Sequence, residues 1–273
     1  MNVAVHLRNF GLESRMISRV GDDDLGKELL DFIIDKGIPA DTIQRDQTHS
    51  TGVVEANVSD SNEVTYEIIQ PVAWDYIQYD ESLVTCVKQS DVFIYGSLAA
   101  RSEHSRDTLY QLLETAALKV FDVNIRPPHY SREIIEHLLV QANIVKMNHH
   151  ELAEIVAWYG TQSSEEAAMQ DLMERFSLQT VCVTRGENGA VVLNQEGFVQ
   201  QTGFPVKVAD TIGSGDSFLA AFLYKTLQGE TTQKTLEFAC ATGAYVATQR
   251  GATPAFTEQT IEAFLGKNLS LPL

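Results

Sequence analysis

Positive charge, cysteine and long hydrophobic runs are all scarce in this sequence, and each scarcity excludes a class of protein. Twenty lysines and arginines stand against 37 aspartates and glutamates, so the formal net charge is −17. This excess argues against nucleic acid or an anionic membrane as a partner, because both are negatively charged. No apolar run approaches the length of a transmembrane helix, and the first residues do not read as a signal peptide.

The cysteines predict free thiols rather than a disulfide framework or a metal site. Cys86, Cys182 and Cys240 are far apart, odd in number and without the spacing of metal ligands. Buried thiols in a reducing compartment account for them most simply, so we expect a cytoplasmic protein. A chain of 273 residues, 44% of them hydrophobic, is long enough for one large α/β domain or two small ones.

Hydrophobic periodicity predicts an α/β fold. From residue 83 onward, buried-type strands alternate with amphipathic helices, which is typical of a mostly parallel sheet with crossover helices. Residues 51–58 and 64–69 read as a hairpin around a polar turn. The ligand site of such a sheet lies at the carboxyl ends of its strands. The pattern also predicts helices at 2–10, 25–36 and 102–118 and a strand at 14–20.

The stretch from Asp210 to Phe218 opens an amphipathic helix. Gly213 and Gly215 allow a tight turn and leave backbone N–H groups uncovered at the positive end of the helix dipole, which is an anion site. A glycine-rich turn of this kind is common in α/β proteins. It is also suited to phosphoryl transfer, with Asp216 taking the proton from an acceptor hydroxyl. The stretch is not a P-loop, because no Gly-Lys-Ser/Thr follows the glycines.

Three further candidate groups follow predicted strands. Asp122, Asn124 and Arg126 alternate, so they project to one side if the strand continues, where they suit sugar hydroxyls and an anion. A capped strand end before a proline turn explains them equally well. Asn148 and Glu151 have the spacing of a capping box. The glycines of the segment 184–189 fit an ordinary chain reversal.

The whole run from Asp210 to Phe218 closely resembles the C-terminal signature of the ribokinase-like (PfkB) family of sugar kinases. The resemblance implies that Asp216 is the catalytic base and that Gly213, Ser214 and Gly215 form the anion hole. It also implies a single domain over residues 1–273. Its expected fold is three-layer α/β/α with a mostly parallel central sheet and a small β lid from residues 48–70.

The other motifs occur in the order of that family. Asp-x-Asn-x-Arg is typical of its fructokinase-like and keto-sugar kinase members, which implies that Asp122 and Asn124 bind the sugar and that Arg126 faces the phosphate. Asn148 and Glu151 would place Mg²⁺ through bound water, since Mg²⁺ prefers hard oxygen ligands and retained waters. The residues that would lie along ATP are Thr184, Gly186 and Gly189.

Two more expectations rest on the resemblance alone. Carbonyls of four residues would hold a monovalent cation such as K⁺, and lids would pair in a homodimer. The cation residues are Asp210, Ile212, Ala247 and Gly251.

The N-terminus departs from the family pattern. Asn2 resembles an asparagine that, in the family, binds the sugar and follows a first strand, an aspartate and a Gly-Gly pair, all absent from this sequence. That strand would be central, so its loss would expose the edges of its neighbours. A start codon assigned too late, a truncation and a natively shortened, inactive protein would each explain the difference.

The function expected from the sequence is ATP-dependent phosphorylation of a primary hydroxyl of a small sugar. Fructose is the first choice, on the Asp-x-Asn-x-Arg pattern, and ribose, a nucleoside and 2-keto-3-deoxygluconate are alternatives. A non-catalytic sugar- or nucleotide-binding protein is the competing hypothesis, which the missing first strand favours and the intact Asp216 opposes.

Overall fold

The computed structural model describes residues 1–58 and 64–269, so the predicted turn at 59–63 lies outside the described residues. The strands are β1 (Ser18–Gly21), β2 (Ile43–Asp46), β3 (Val54–Val58), β4 (Val64–Ile68), β5 (Phe93–Gly96), β6 (Lys119–Asp122), β7 (Ile144–Asn148), β8 (Thr180–Thr184), β9 (Ala190–Asn194) and β10 (Gly197–Gln201). The α-helices are α1 (Asn2–Asn9), α2 (Asp24–Asp35), α3 (Glu81–Gln89), α4 (Glu103–Leu113), α5 (Arg132–Gln141), α6 (His149–Ala157), α7 (Glu165–Phe176), α8 (Ser214–Leu227), α9 (Thr232–Ala247) and α10 (Glu258–Leu269).

The central sheet has six strands in the order β10-β9-β8-β7-β6-β5. Strands β5 to β8 are parallel, and the hairpin of β9 and β10 continues the sheet in antiparallel fashion. One face carries a core that includes Leu138, Ile155 and Leu172, and the other includes Leu219 and Ala239. The predicted three-layer fold is therefore confirmed. The hairpin of β3 and β4 forms a separate two-stranded sheet at the predicted place.

Several predicted boundaries are wrong, each for a local reason. The helix predicted at 102–118 ends at Leu113, because the N–H and hydroxyl of Thr115 both donate to the Leu112 carbonyl. The strand predicted at 14–20 is confined to β1. Neither β2 nor α3 was predicted. β2 has little apolar character, whereas α3 has a recognisable cap, because Asp80 accepts from the N–H groups of Ser82 and Leu83.

A cleft divides the strands into two groups. β1 and β2 form their own parallel pair, and within the described residues β1 is not hydrogen-bonded to β5. The cleft has a volume of about 1280 Å³ and is lined from both sides, for example by Met16 and Ile17 near β1 and by Ile94 and Tyr95 on β5. Both groups therefore present a strand edge without a strand partner in the described part of the chain.

A buried ion pair joins the two groups near the cleft. Asp75 lies in a 3-10 turn. Nη1 of Arg19 in β1 donates to the carbonyl oxygen of Tyr76 in the same turn, at 3.0 Å. Arg101 follows β5 and donates to both carboxylate oxygens of Asp75 at 2.7 and 2.8 Å. Its guanidinium also stacks on Trp74, 3.8 Å from the ring centroid. Since strand pairing is missing there, these contacts fix the position of β1 relative to β5.

We predict that Asp75→Asn strongly destabilises the protein. The substitution leaves the buried guanidinium of Arg101 without its counter-charge, which typically costs about 3–5 kcal/mol. Urea unfolding measures this loss. Asp41→Asn is the matched control, because it removes the exposed pair with Arg15 and should cost less than about 1 kcal/mol. Equal losses in the two variants would contradict the role assigned to the buried pair.

Candidate active site

The first turn of α8 has the geometry expected of the anion site predicted from the sequence. Gly213 adopts φ +81°, and a Cβ there would lie 2.3 Å from the Ala252 carbonyl oxygen, so only glycine fits. The N–H of Ser214 donates to the Thr211 carbonyl at 3.3 Å. The N–H groups of Gly215 and Asp216 have no acceptor in the part of the chain that the structure describes. They lie at the positive end of the helix dipole, where an anion is favoured.

Asp216 lies beside these N–H groups and is oriented by the other end of the chain. Nδ2 of Asn2 donates to its Oδ2 at 2.8 Å, and the side chain is half-buried. Oδ1 has no described partner, so it is available to accept a proton. The sequence assigned Asn2 to the sugar, and the structure places it against the predicted base.

Helix α1 holds Asn2 in place by packing on α8 and on the loop before α10. Nε2 of His6 lies 3.0 Å from the Ala252 carbonyl oxygen, the same atom that Gly213 approaches, and must donate to it. Burial lowers the pKa of His6, although the hydrogen bond to the Ala252 carbonyl acts in the opposite direction. Phe10 stacks on Tyr224 of α8 with ring centroids 4.7 Å apart.

The carboxyl ends of β6, β7 and β8 bring three predicted site residues to one edge of the sheet. Asn148 is in register with Thr184, and Asp122 is in register with Lys146. Nζ of Lys146 donates to Oδ1 of Asp122 at 3.0 Å, and both side chains are buried. Burial by itself would lower the pKa of Lys146, but Asp122, Glu151 and Asp216 together outweigh it through their negative charges and the hydrogen bond to Asp122, so the pKa is raised.

Lys146 is the residue that sequence reasoning missed. The signal was present, because it is the single charged residue of β7 and its neighbours Val145 and Met147 are fully buried. A lysine in such a strand needs a counter-charge, which identifies a polar site beneath the surface.

The predicted alternation of Asp122, Asn124 and Arg126 is wrong. β6 ends at Asp122, and Asn124 takes φ +40°, so the extended backbone that alternation requires does not continue. Asp122 is buried, whereas Asn124 and Arg126 are exposed, and Nη1 of Arg126 donates to the adjacent Ile125 carbonyl at 3.0 Å. Their roles toward sugar and phosphate stay predictions.

Asn148 and Glu151 form the predicted capping box. Oδ1 of Asn148 accepts from the N–H groups of His150 and Glu151, both at 2.9 Å. The Glu151 oxygens accept from the N–H groups of Asn148 at 2.8 Å and Ile125 at 2.9 Å. Burial raises the pKa of Glu151. Among residues 1–58 and 64–269 no group of three or more His, Cys, Asp or Glu could bind a metal directly, and the water-mediated Mg²⁺ role remains a prediction.

The segment after β8 has the conformation of a tight reversal. Gly189 takes φ +85°, and a Cβ there would lie 2.0 Å from the Gln201 carbonyl oxygen. Gly186 also has positive φ, at +60°, but faces open space. Thr184 Oγ1 donates weakly to the Met147 carbonyl at 3.4 Å. This segment is adjacent to Asn148, and its contact with ATP is still a prediction.

The residues predicted for a monovalent cation lie together before α8 and after α9. Asp210 accepts from the N–H groups of Ile212 at 3.0 Å and Gly251 at 3.3 Å. The Ala247 carbonyl oxygen already accepts from the N–H groups of Ala209 and Asp210 at 2.8 and 3.2 Å, which occupies both of its lone pairs.

An anion site at a helix start, with a carboxylate beside it at the carboxyl edge of a parallel sheet, is suited to phosphoryl transfer. The sequence pattern of the pfkB family carbohydrate kinases matches residues 1–259. The chain belongs to that family, which confirms the resemblance seen in the run from Asp210 to Phe218.

Relatives and solved structures agree with this family. Fructokinase-2 of Solanum habrochaites is 27% identical over 93% of this chain and 81% of its own length, and a fructokinase of Salmonella typhimurium is 28% identical over 94% and 87%. The fold is similar to that of a Xylella fastidiosa fructokinase with bound ATP, with a TM-score of 0.88 at 21% identity over 98% of this chain and 90% of that one. It is also similar to a Vibrio cholerae fructokinase bound to fructose, ADP and calcium, with a TM-score of 0.81 at 24% identity over 97% and 89%.

We predict that Gly213→Ala disrupts the start of α8 more than a glycine-to-alanine substitution disrupts an ordinary turn. The new Cβ would clash with the Ala252 carbonyl, so the start of α8 must shift. Gly229→Ala is the matched control, because Gly229 has φ +74° at the other end of α8 with nothing within 4 Å. The control should cost about 1–2 kcal/mol in unfolding free energy.

Gly213→Ala should cost more than the control and should also abolish stabilisation by added ATP, whereas the control should keep it. Thermal unfolding with and without ATP measures both effects. Unchanged protection by ATP in Gly213→Ala would show that the anion binds elsewhere.

Proposed function

We propose that this protein transfers the γ-phosphoryl group of ATP to a primary hydroxyl of fructose. The observation that carries the proposal is the carboxylate of Asp216 beside N–H groups at the start of α8 that have no acceptor in the described part of the chain, in a member of a carbohydrate kinase family. Fructose is the chosen acceptor because relatives over most of the chain are named fructokinase.

The reaction would proceed by in-line transfer. Oδ1 of Asp216 accepts the proton of the sugar hydroxyl as its oxygen attacks the γ-phosphorus, and ADP leaves with the electrons of the broken bond. N–H groups of Gly215 and Asp216 hold the negative charge of the moving group. Asn148 and Glu151 would hold Mg²⁺ through bound water, and the ion would neutralise charge on the phosphates. Arg126 would turn from its exposed position toward the phosphates.

The remaining assignments complete the proposal. Asp122 and Asn124 bind sugar hydroxyls, and Oδ2 of Asp122 is available because only Oδ1 has a hydrogen-bond partner among the residues that the structure describes. ATP lies along the segment 184–189. The loops at 210–212 and 247–251 would bind K⁺ only if the Ala247 carbonyl gives up its hydrogen bond from Ala209 or Asp210. A homodimer through the lid and a cytoplasmic location are part of the proposal. No α-helix among the described residues is long and apolar enough to cross a membrane.

A non-catalytic binding protein is the second candidate, and the cleft favours it. The cleft between β1 and β5 reaches Asp122 and Asn124, so the sugar side of the site is open there. Open access lets water compete with the sugar as an acceptor and leaves hydroxyls without partners. Ribose, a nucleoside and 2-keto-3-deoxygluconate stay alternative acceptors.

We predict that Asp216→Asn lowers turnover by about 10²–10⁴-fold, because the amide cannot accept the proton. ADP release from MgATP is measured against fructose, ribose, a nucleoside and 2-keto-3-deoxygluconate. ATP affinity should change little, since the N–H groups remain. Asp107→Asn, on the exposed side of α4, is the control and should keep the wild-type rate.

The outcomes separate the hypotheses. A wild-type rate in Asp216→Asn removes Asp216 from the role of base. A wild-type protein that binds ATP but phosphorylates no sugar supports the non-catalytic candidate.

A further inference from the structure

The ammonium of Lys146 is buried and has few hydrogen-bond acceptors in the described chain. The residue is 8% exposed, and its Nζ has one acceptor in the described chain, Oδ1 of Asp122 at 3.0 Å. An ammonium carries three N–H groups, so two of them have no hydrogen-bond acceptor among the described residues. Burying a charge that is incompletely paired costs free energy, and a bound anion would remove that cost.

The same ammonium lies against the first turn of α8. A Cβ built on Gly215 would be 3.4 Å from Nζ of Lys146. The start of a helix carries partial positive charge, which disfavours a cation beside it, whereas the carboxylates of Asp216 and Glu151 attract the ammonium. The N–H groups of Gly215 and Asp216 at this turn also have no acceptor within residues 1–58 and 64–269. An anion with several acceptor oxygens would satisfy these donors together.

We propose that Lys146 is a further residue of the phosphoryl-transfer site, whose ammonium donates to an oxygen of the phosphoryl group as that group moves from ATP to the sugar. This inference rests on the proposed function. Lys146 keeps its proton throughout, because the proton of the sugar hydroxyl goes to Asp216. The bond from phosphorus to the ADP oxygen breaks while the bond to the sugar oxygen forms.

The ion pair of Lys146 and Asp122 would also connect the phosphoryl group of ATP with the sugar. Oδ1 of Asp122 fixes the ammonium, and Oδ2 is available to a sugar hydroxyl. A fixed charge that needs no rearrangement stabilises the transition state more than the ground state. The alternative is a structural link between β6 and β7, in which case the charge itself would not matter for turnover.

Lys146→Met tests the proposal, because methionine has a similar length and no charge. We expect kcat to fall by about 10²-fold at saturating ATP and fructose, with the KM of each substrate within about threefold. Inorganic phosphate should raise the Tm of the wild-type protein but not that of the variant. Lys146→Arg, which keeps the charge, should restore part of kcat. A folded Lys146→Met variant with wild-type kcat, or with a raised KM for fructose alone, would overturn the proposal.

A second comparison applies if Lys146→Met does not fold. Asp122→Asn combined with Lys146→Met gives a neutral pair of similar shape, to be compared with Asp122→Asn alone. The proposal expects the double variant to have the lower kcat and to lose protection by phosphate, and equal values would overturn it. If the wild-type protein phosphorylates no sugar, the proposed function fails, whereas the difference in protection by phosphate between wild type and Lys146→Met still decides the role of Lys146.

Discussion

The site depends on the fixed position of the N-terminus of α8. Every residue from Ser217 to Tyr224 is buried, so the helix is enclosed by the core and cannot shift its first turn without disturbing it. Gly213 brings the chain into that turn against Ala252, and the same carbonyl receives His6 of α1. A helix start fixed this closely presents its N–H groups and dipole in one direction. Preorganised donors of this kind are the main means by which a protein stabilises transferring charge.

The charges around that turn are arranged in opposition. Oδ1 of Asp122 accepts from Lys146, whose Nζ lies 3.4 Å from a Cβ built on Gly215, and Oδ2 of Asp216 accepts from Asn2. In the described part of the chain, the N–H groups of Gly215 and Asp216 have no acceptor. A phosphate bound at these donors would stabilise the fold by mass action.

The division of the sheet has consequences for function. Within the described residues, β1 and β2 are joined to the six-stranded sheet through side-chain contacts such as Asp75 with Arg101, not through a shared ladder of backbone hydrogen bonds. Fewer backbone hydrogen bonds across this boundary favour local opening there, whereas α8 is enclosed by the core.

The sequence was sufficient for the parts of the structure that depend on local pattern. The layers of the fold and the glycine turn at Gly213 follow from periodicity and turn chemistry, and so does the capping box of Asn148. It was insufficient where position depends on distant contacts. Asp122 is paired with Lys146 of the neighbouring strand, and β2 is held by pairing with β1, not by its own apolar pattern. Asn124 has a positive φ and Arg126 donates to the adjacent Ile125 carbonyl, and no residue pattern displayed either feature.

A structure with MgADP, fructose and aluminium fluoride is the sharpest test of whether the phosphoryl group moves at the first turn of α8. The aluminium fluoride mimics the transferring group. We expect it within hydrogen-bond distance of the N–H groups of Gly215 and Asp216, with Asp216 contacting the sugar hydroxyl. Aluminium fluoride or an ADP phosphate bound away from this turn would show that the transfer takes place elsewhere.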